Sequence, residues 1–351
     1  MRYLVPLFLL LAGASCLAAA PAPVGVDALS QADVGKAVAA LKGTFVRRDA
    51  LSDAEIERAT LQGLLDRLAP EADLVSGTGP ALPASPFYSE NYGGRGYLRL
   101  GELTAENVQK AVQALKDWSG KGIVAVVLDL RGTPASSDFN DAGGIEGLFC
   151  GKGTQMFSLY AGAQGTSPGM RQNFVAGADP LFKGIVVVLV DGATAEAPEA
   201  IAASLQECAA ALVVGERTAG RAFEYQDVPL GGAVLRVAVA QVILPDGKKL
   251  GESGLKPDIE APLGAVSLPD LMQSVTEKGV ASVIEEHDRP HLNEAALVSG
   301  SNPYVDELEA EESGKAAAQP LIDRQLQRAL DLVTSISVYQ AKGQATPGSG
   351  E

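Results

Sequence analysis

The chain has 351 residues, 46% of them hydrophobic and 20% charged, which is enough for one large domain or two modest ones with real cores. Its formal charge of −15 argues against a nucleic-acid partner, because gripping a polyanion relies on Lys and Arg to neutralise phosphates. An acidic balance favours solubility and selects no other partner.

Residues 1–20 read as an export signal. Arg2 gives a positive start, Leu4 to Leu11 form an apolar run, and small residues follow. That run is too short for a bilayer core of about 30 Å. Two fates stand open. Ala18-Ala19-Ala20 suits cleavage but is followed by Pro21, and Cys16 offers a lipidation site, although Gly13 is a poor opening for a lipobox. Cys150 and Cys208 remain, and two buried free thiols are the expectation slightly favoured over a pair.

An N-terminal helical segment is expected over 27–69. Ser30 caps a first helix carrying Val34, Val38 and Leu41, and Ser52 to Glu55 makes a capping box for a second, which Pro70 ends. Residues 70–96, rich in Pro, Gly and Ser, read as linker or loop, with Gly93-Gly-Arg-Gly96 as a turn. The core is expected over 97–263. Thr104 caps a helix with Val108, Ala111, Leu115 and Trp118 on one face, and Ile123 to Leu130 is a continuous apolar strand. Gly184 to Val190, the Ala-rich helix 195–209, Ala211 to Val214 and Val234 to Leu244 continue the alternation, which predicts a largely parallel α/β fold. From 264 to 320 the order breaks. Between Glu277 and Glu312 there are ten acids and two bases, read as a solvated helical insertion. Residues 321–340 form a closing helix with Leu326, Leu330 and Val333 on its stripe.

Candidate chemistry is sparse. The two histidines, His287 and His291, lie in the acidic stretch with Pro290 between them, a spacing unsuited to a helical zinc site and remote from any nucleophile. No metal and no cofactor is expected. Three strand ends carry tight small-residue turns: Asp129-Leu-Arg-Gly-Thr-Pro134, Val190-Asp-Gly-Ala-Thr-Ala-Glu-Ala-Pro-Glu199 and Val214-Gly-Glu-Arg-Thr-Ala-Gly-Arg221. In an α/β sheet, sites form at such ends.

With Gly254-Leu-Lys-Pro-Asp258 and the helical segment Phe45 to Leu68, these turns resemble, in order and spacing, the C-terminal processing (tail-specific) serine peptidase family. The resemblance implies a crotonase-like or ClpP-like α/β core with N-terminal and C-terminal helices. It also implies a Ser–Lys dyad cutting near protein C-termini, and a place in the bacterial periplasm or envelope. The chain departs from the pattern where it matters. Glu196 stands at the serine position, Arg221 at the lysine position twenty-five residues on, and Tyr225 at the third position. Ala135-Ser136 replaces the Gly pair of the oxyanion turn, and the stretch 70–96 is too short for the PDZ module that usually precedes the core.

A carboxylate is a poor nucleophile here, and arginine stays protonated with a pKa above about 12. The expectation is therefore a pseudoenzyme that holds a peptide or unfolded protein segment, with Gly132, Thr133 and Ala197 as groove candidates. Thr194 is expected as a turn or cap residue and Ser204 as packing. Glu196 and Arg221 are expected to meet as an ion pair. The rival expectation is an active serine-type peptidase with a non-standard site. Glu196 as a general base in another reaction, by analogy with crotonase-like enzymes, ranks last.

Overall fold

A computed structural model describes residues 25–76, 86–162, 169–251, 253–285 and 321–344. The chain divides into two compact units, residues 1–67 and 68–351.

In the first unit, α1 (Gln31–Thr44) begins at Ser30, whose hydroxyl accepts the Asp33 N–H, and α2 (Asp53–Leu68) begins after Ser52, which accepts the Glu55 N–H. Both caps are where the sequence puts them. Neither helix contains a buried residue, and Leu41 and Leu64 are about half exposed.

The second unit is built on two sheets. The stretch expected as loop contributes two strands, β1 (Ala72–Ser76) and β2 (Tyr88–Tyr92). Their alternating burial and short polar sequence hide them from a hydrophobicity reading. Gly93-Gly94 turns β2 into β3 (Arg95–Arg99), followed by α3 (Ala105–Trp118), β4 (Ala125–Asp129), α4 (Phe139–Glu146), β5 (Gln155–Ala161) and β6 (Met170–Val175). Next come β7 (Ile185–Val190), α5 (Ala197–Cys208), β8 (Leu212–Gly215), β9 (Phe223–Leu230), β10 (Ala233–Ile243) and β11 (Ile259–Glu260). Helices α6 (Leu268–Lys278) and α7 (Arg324–Gln344) close the unit.

One sheet runs β11-β8-β7-β4-β3-β2, parallel except for β2. Its central strands β4, up to Asp129, β7 and β8 are apolar runs because both faces are covered. Val126, Leu128, Val186 and Val188 face α3, α4 and α5, while Val127, Val187 and Leu189 face α6 and α7. The second sheet, β1-β10-β5-β6 with β9 on the other side of β10, is antiparallel. Phe157 and Leu159 of β5 and Val242 of β10 join the α5 side of the core, so α5 is sandwiched between the sheets.

Two expectations are corrected here. Cys150 and Cys208 form a disulfide that ties the turn after α4 to the last residue of α5. The start of the expected insertion is not solvated: Leu271, Met272 and Val275 of α6 are buried against the parallel sheet. The rest of that stretch, His287 and His291 included, lies outside the described residues, as do the export segment and Cys16.

Candidate functional site

The C-terminal ends of β4, β7 and β8 converge, and each is pinned by a buried acid or arginine. At β4, Arg131 is buried and receives Asp129 on one side and Asp323, from the approach to α7, on the other, with Nη2–carboxylate distances of 2.6 and 2.8 Å. Burial alone would lower the Arg131 pKa, but the two carboxylates overcome it and hold the guanidinium well above its ordinary value. The Tyr97 hydroxyl donates at 2.8 Å to Asp129 Oδ2, the oxygen that also accepts from Arg131 Nη2. This network fixes the turn at Gly132 and Thr133. Gly132 has φ +62° and donates its N–H to Asp191, while Thr133 is buried with its hydroxyl unbonded among the described residues.

At β7, Asp191 folds its own turn. It accepts the Ala193 N–H and the Thr194 hydroxyl, so Thr194 is a turn residue as expected. The turn ends on Glu196, at φ +58° and ψ −128°, the residue before α5. A side chain rarely adopts such a φ, at a cost on the order of 1–3 kcal/mol, so the surroundings must hold it. They do so through the backbone. The Glu196 N–H donates to the Arg221 carbonyl at 3.2 Å, and the Ala197 N–H donates to the Ser136 carbonyl at 2.9 Å.

The third end, Thr218 to Arg221, is clamped by Glu199 from the first turn of α5. This fully buried carboxylate accepts the Thr218 hydroxyl, the Gly220 N–H at 3.0 Å and the Arg221 N–H at 2.8 Å. Burial pushes Glu199 above its usual range, and those donors partly offset it. Gly254 seals the clamp: a Cβ there, at φ +66°, would run into the Thr218 carbonyl.

The positions singled out from sequence therefore come together, but the expected ion pair does not form. Glu196 is 1% exposed, and its carboxylate takes Arg236 Nη1 at 3.0 Å on one oxygen and the Ser137 hydroxyl at 3.1 Å on the other. Burial raises its pKa, with Arg236, Ser137 and Arg221 pulling it back. Arg221 turns instead toward Asp73 at 3.9 Å and stacks on Tyr225, its guanidinium 5.6 Å from the ring centroid. Arg236 stacks on the same ring at 5.4 Å and is also held by Asp227 at 3.0 Å.

The reason is positional. Arg236 lies on β10, opposite Asp227 of β9, and reaches across to the elbow, so it occupies the carboxylate before Arg221 does. The available signal was Arg236 itself, the only charge between Ala233 and Leu244. Ser137 was also missed. It donates to Glu196 while accepting the Tyr225 N–H at 3.3 Å. Ala135 is exposed and Ser136 half-buried, its hydroxyl accepting the Asp138 N–H. Ser204 is packing, as expected: it is buried in α5 and donates to the Met156 carbonyl. Among the described residues no lysine donates to a Ser or Thr hydroxyl, and no cluster of His, Cys, Asp and Glu is arranged for a metal.

Comparison with known proteins adds the family. Residues 94–261 match the model of Peptidase family S41. The carboxy-terminal processing protease CtpA of Bacillus subtilis is 29% identical over 191 residues, which is 52% of this chain and 38% of that protein. The carboxyl-terminal-processing protease of a Picosynechococcus strain is 31% identical over 173 residues, 48% of this chain and 39% of that protein. The chain thus spans about two fifths of the length of these curated relatives. Among solved structures, the photosystem II D1 C-terminal processing protease aligns over 60% of this chain and 53% of that one, at 24% identity and a TM-score of 0.42. The matched segment holds the three strand ends and the elbow described above, and over it the chain is similar to peptidase family S41.

Proposed function

We propose that this chain is a non-hydrolytic member of its family, exported, that holds an extended peptide or unfolded protein segment in the cleft formed by the three strand ends. The observation that carries this is the main chain at the elbow. Acyl transfer needs a nucleophile, a base able to lose a proton, and N–H groups aimed at the developing oxyanion. Here the N–H groups of Glu196 and Ala197 are both bonded inward, to Arg221 and Ser136. The side chain on the elbow is a carboxylate neutralised by Arg236. Losing a nucleophile of this kind typically costs about 10⁶ in kcat. Holding a chain by strand addition needs backbone groups and pockets but no nucleophile.

A second reading has one observation in its favour. Ser137 is a hydroxyl already hydrogen-bonded to a carboxylate, and that pair could serve as nucleophile and base at a non-standard site. The Arg236 pair weakens Glu196 as that base.

The test is incubation of the protein with an unstructured substrate such as casein, beside Ser137→Ala and the double variant Glu196→Ser, Arg221→Lys. The natural protein is expected to leave the substrate intact. Cleavage that disappears in Ser137→Ala would replace the first reading by the second, and cleavage that survives it would sink both. Cleavage by the double variant alone would keep the natural protein non-hydrolytic but move the cause from the main chain of the elbow to the side chains of Glu196 and Arg221.

A further inference from the structure

We propose that the Cys150–Cys208 disulfide is a thiol-exchange site: an external dithiol attacks Cys208 Sγ, and the Glu146 carboxyl gives its proton to the Cys150 sulfur that leaves. This stands whether the elbow holds a peptide or cuts one.

Four residues make the site, two on each side. Cys150 closes a helical turn on Glu146, its N–H donating to the Glu146 carbonyl at 3.0 Å. Cys208 ends α5, and Ser204 stands one turn before it. The two sides meet at both levels. The sulfurs are bonded, with Cα atoms 5.4 Å apart, and the Ser204 hydroxyl acts on the Glu146 carboxyl. Residues four apart on one helical face have Cβ atoms about 5–6 Å apart, a gap that the arm of a glutamate can cross.

The two sulfurs differ in access. Cys150 is 0% exposed, whereas Cys208 is half-buried beside the exposed Ala210. A thiolate from solvent therefore meets Cys208 Sγ. As its bond to that sulfur forms, the bond between the two cysteines breaks, and the electron pair leaves on Cys150 Sγ inside the core. A thiolate buried there is costly, and Glu146 removes the charge. Its carboxyl is fully buried, neither oxygen is bonded among the described residues, and burial keeps it protonated well above its ordinary range. Transfer of that proton leaves a neutral Cys150 thiol, and the carboxylate recovers from solvent the proton that the attacking thiol released. The second thiol of the dithiol then displaces Cys208 from the mixed disulfide. The dithiol departs oxidised by two electrons, and the protein keeps two thiols.

No charge competes for this role. At Gly143 and Gly144, α4 is packed by Val108 of α3, Met156 of β5 and Phe174 of β6, all apolar. From α5 the group acting on the carboxyl is the Ser204 hydroxyl. Glu207 lies beside Cys208, and Asp246 and Lys248 from the turn after β10 act on Glu207 but not on Glu146.

The experiment reduces the full chain with dithiothreitol across acid to neutral pH. Freed thiols are alkylated and counted by mass, and the rate is divided by the thiolate fraction of the reductant. The corrected rate is expected to stay level while Glu146 holds its proton and to fall once it ionises. Glu146→Gln keeps the shape but has no proton to give, so it lowers the level part by at least about tenfold and removes the fall. A second readout uses Cys208→Ser, in which the Cys150 thiolate is titrated by its ultraviolet absorbance. Adding Glu146→Gln there lowers the midpoint by about one pH unit or more, because two anions no longer share one buried site. The mixed disulfide formed with 2-mercaptoethanol is expected on Cys208. An adduct on Cys150, equal corrected rates in the natural and Gln proteins, an unmoved Cys150 midpoint, or reduction no faster than global unfolding overturns the proposal.

Discussion

Glu146, the last residue of α4, tests how dry the α4–α5 interface is. It is fully buried, and neither carboxyl oxygen is bonded among the described residues. The nearby Ser204 hydroxyl gives only partial relief, since it is directed to the Met156 carbonyl. A charge there would also sit at a helix C-terminus, where the dipole opposes an anion. Burial accordingly holds the Glu146 pKa well above its ordinary value, so the folded chain keeps this proton where the unfolded chain releases it.

The sign follows from proton counting. Above an unfolded pKa of about 4.3, and up to the folded pKa, the native state binds one more proton, so stability falls by about 1.4 kcal/mol per pH unit. Glu146→Gln keeps the shape and removes the titration. Urea unfolding of both proteins with the disulfide intact, from about pH 5 to about pH 6, should therefore show the Gln variant gaining about 1 kcal/mol on the natural protein. Parallel pH profiles would refute the reasoning, because they would mean the carboxyl ionises in place without penalty.

Two further outcomes are expected. A double-mutant cycle of Glu196→Gln with Arg236→Gln should give a coupling of about 1–2 kcal/mol in chemical unfolding, while the cycle with Arg221→Gln should give under about 0.5 kcal/mol; the reverse order would restore the pair read from sequence. Glu199→Ala strands a hydroxyl and two N–H groups in the core, and should cost about 3 kcal/mol or more by the same measurement.

Much of the parallel sheet was legible because its strands are uninterrupted apolar runs and its helices carry regular stripes. Val126 to Asp129, Ile185 to Val190 and the face of α3 are of this kind. The antiparallel sheet was largely illegible. Met170 to Val175 is mostly exposed, Phe223 to Leu230 buries only its start, and α4 contains the helix-poor pair Gly143-Gly144. The site was half legible. The resemblance of the strand-end turns to the family pattern singled out Glu196, Arg221 and Tyr225. It could not reveal that Arg236, from a neighbouring strand, reaches Glu196 first, since cross-strand register is not written in either strand alone. The disulfide was missed for the same reason: 58 residues separate its halves, and only the packing of α4 on α5 brings them together.

On the non-hydrolytic reading proposed above, the inward-bonded amides of Glu196 and Ala197 would make the loss of hydrolysis hard to reverse. Side chains can be exchanged by single substitutions, but a peptide plane turned toward a carbonyl stays turned whichever residue it carries. Any engineered route back to an acyl-transfer catalyst has to begin with Ser136 and the Arg221 carbonyl, by rotating those neighbours away so that an anionic oxygen has somewhere to rest.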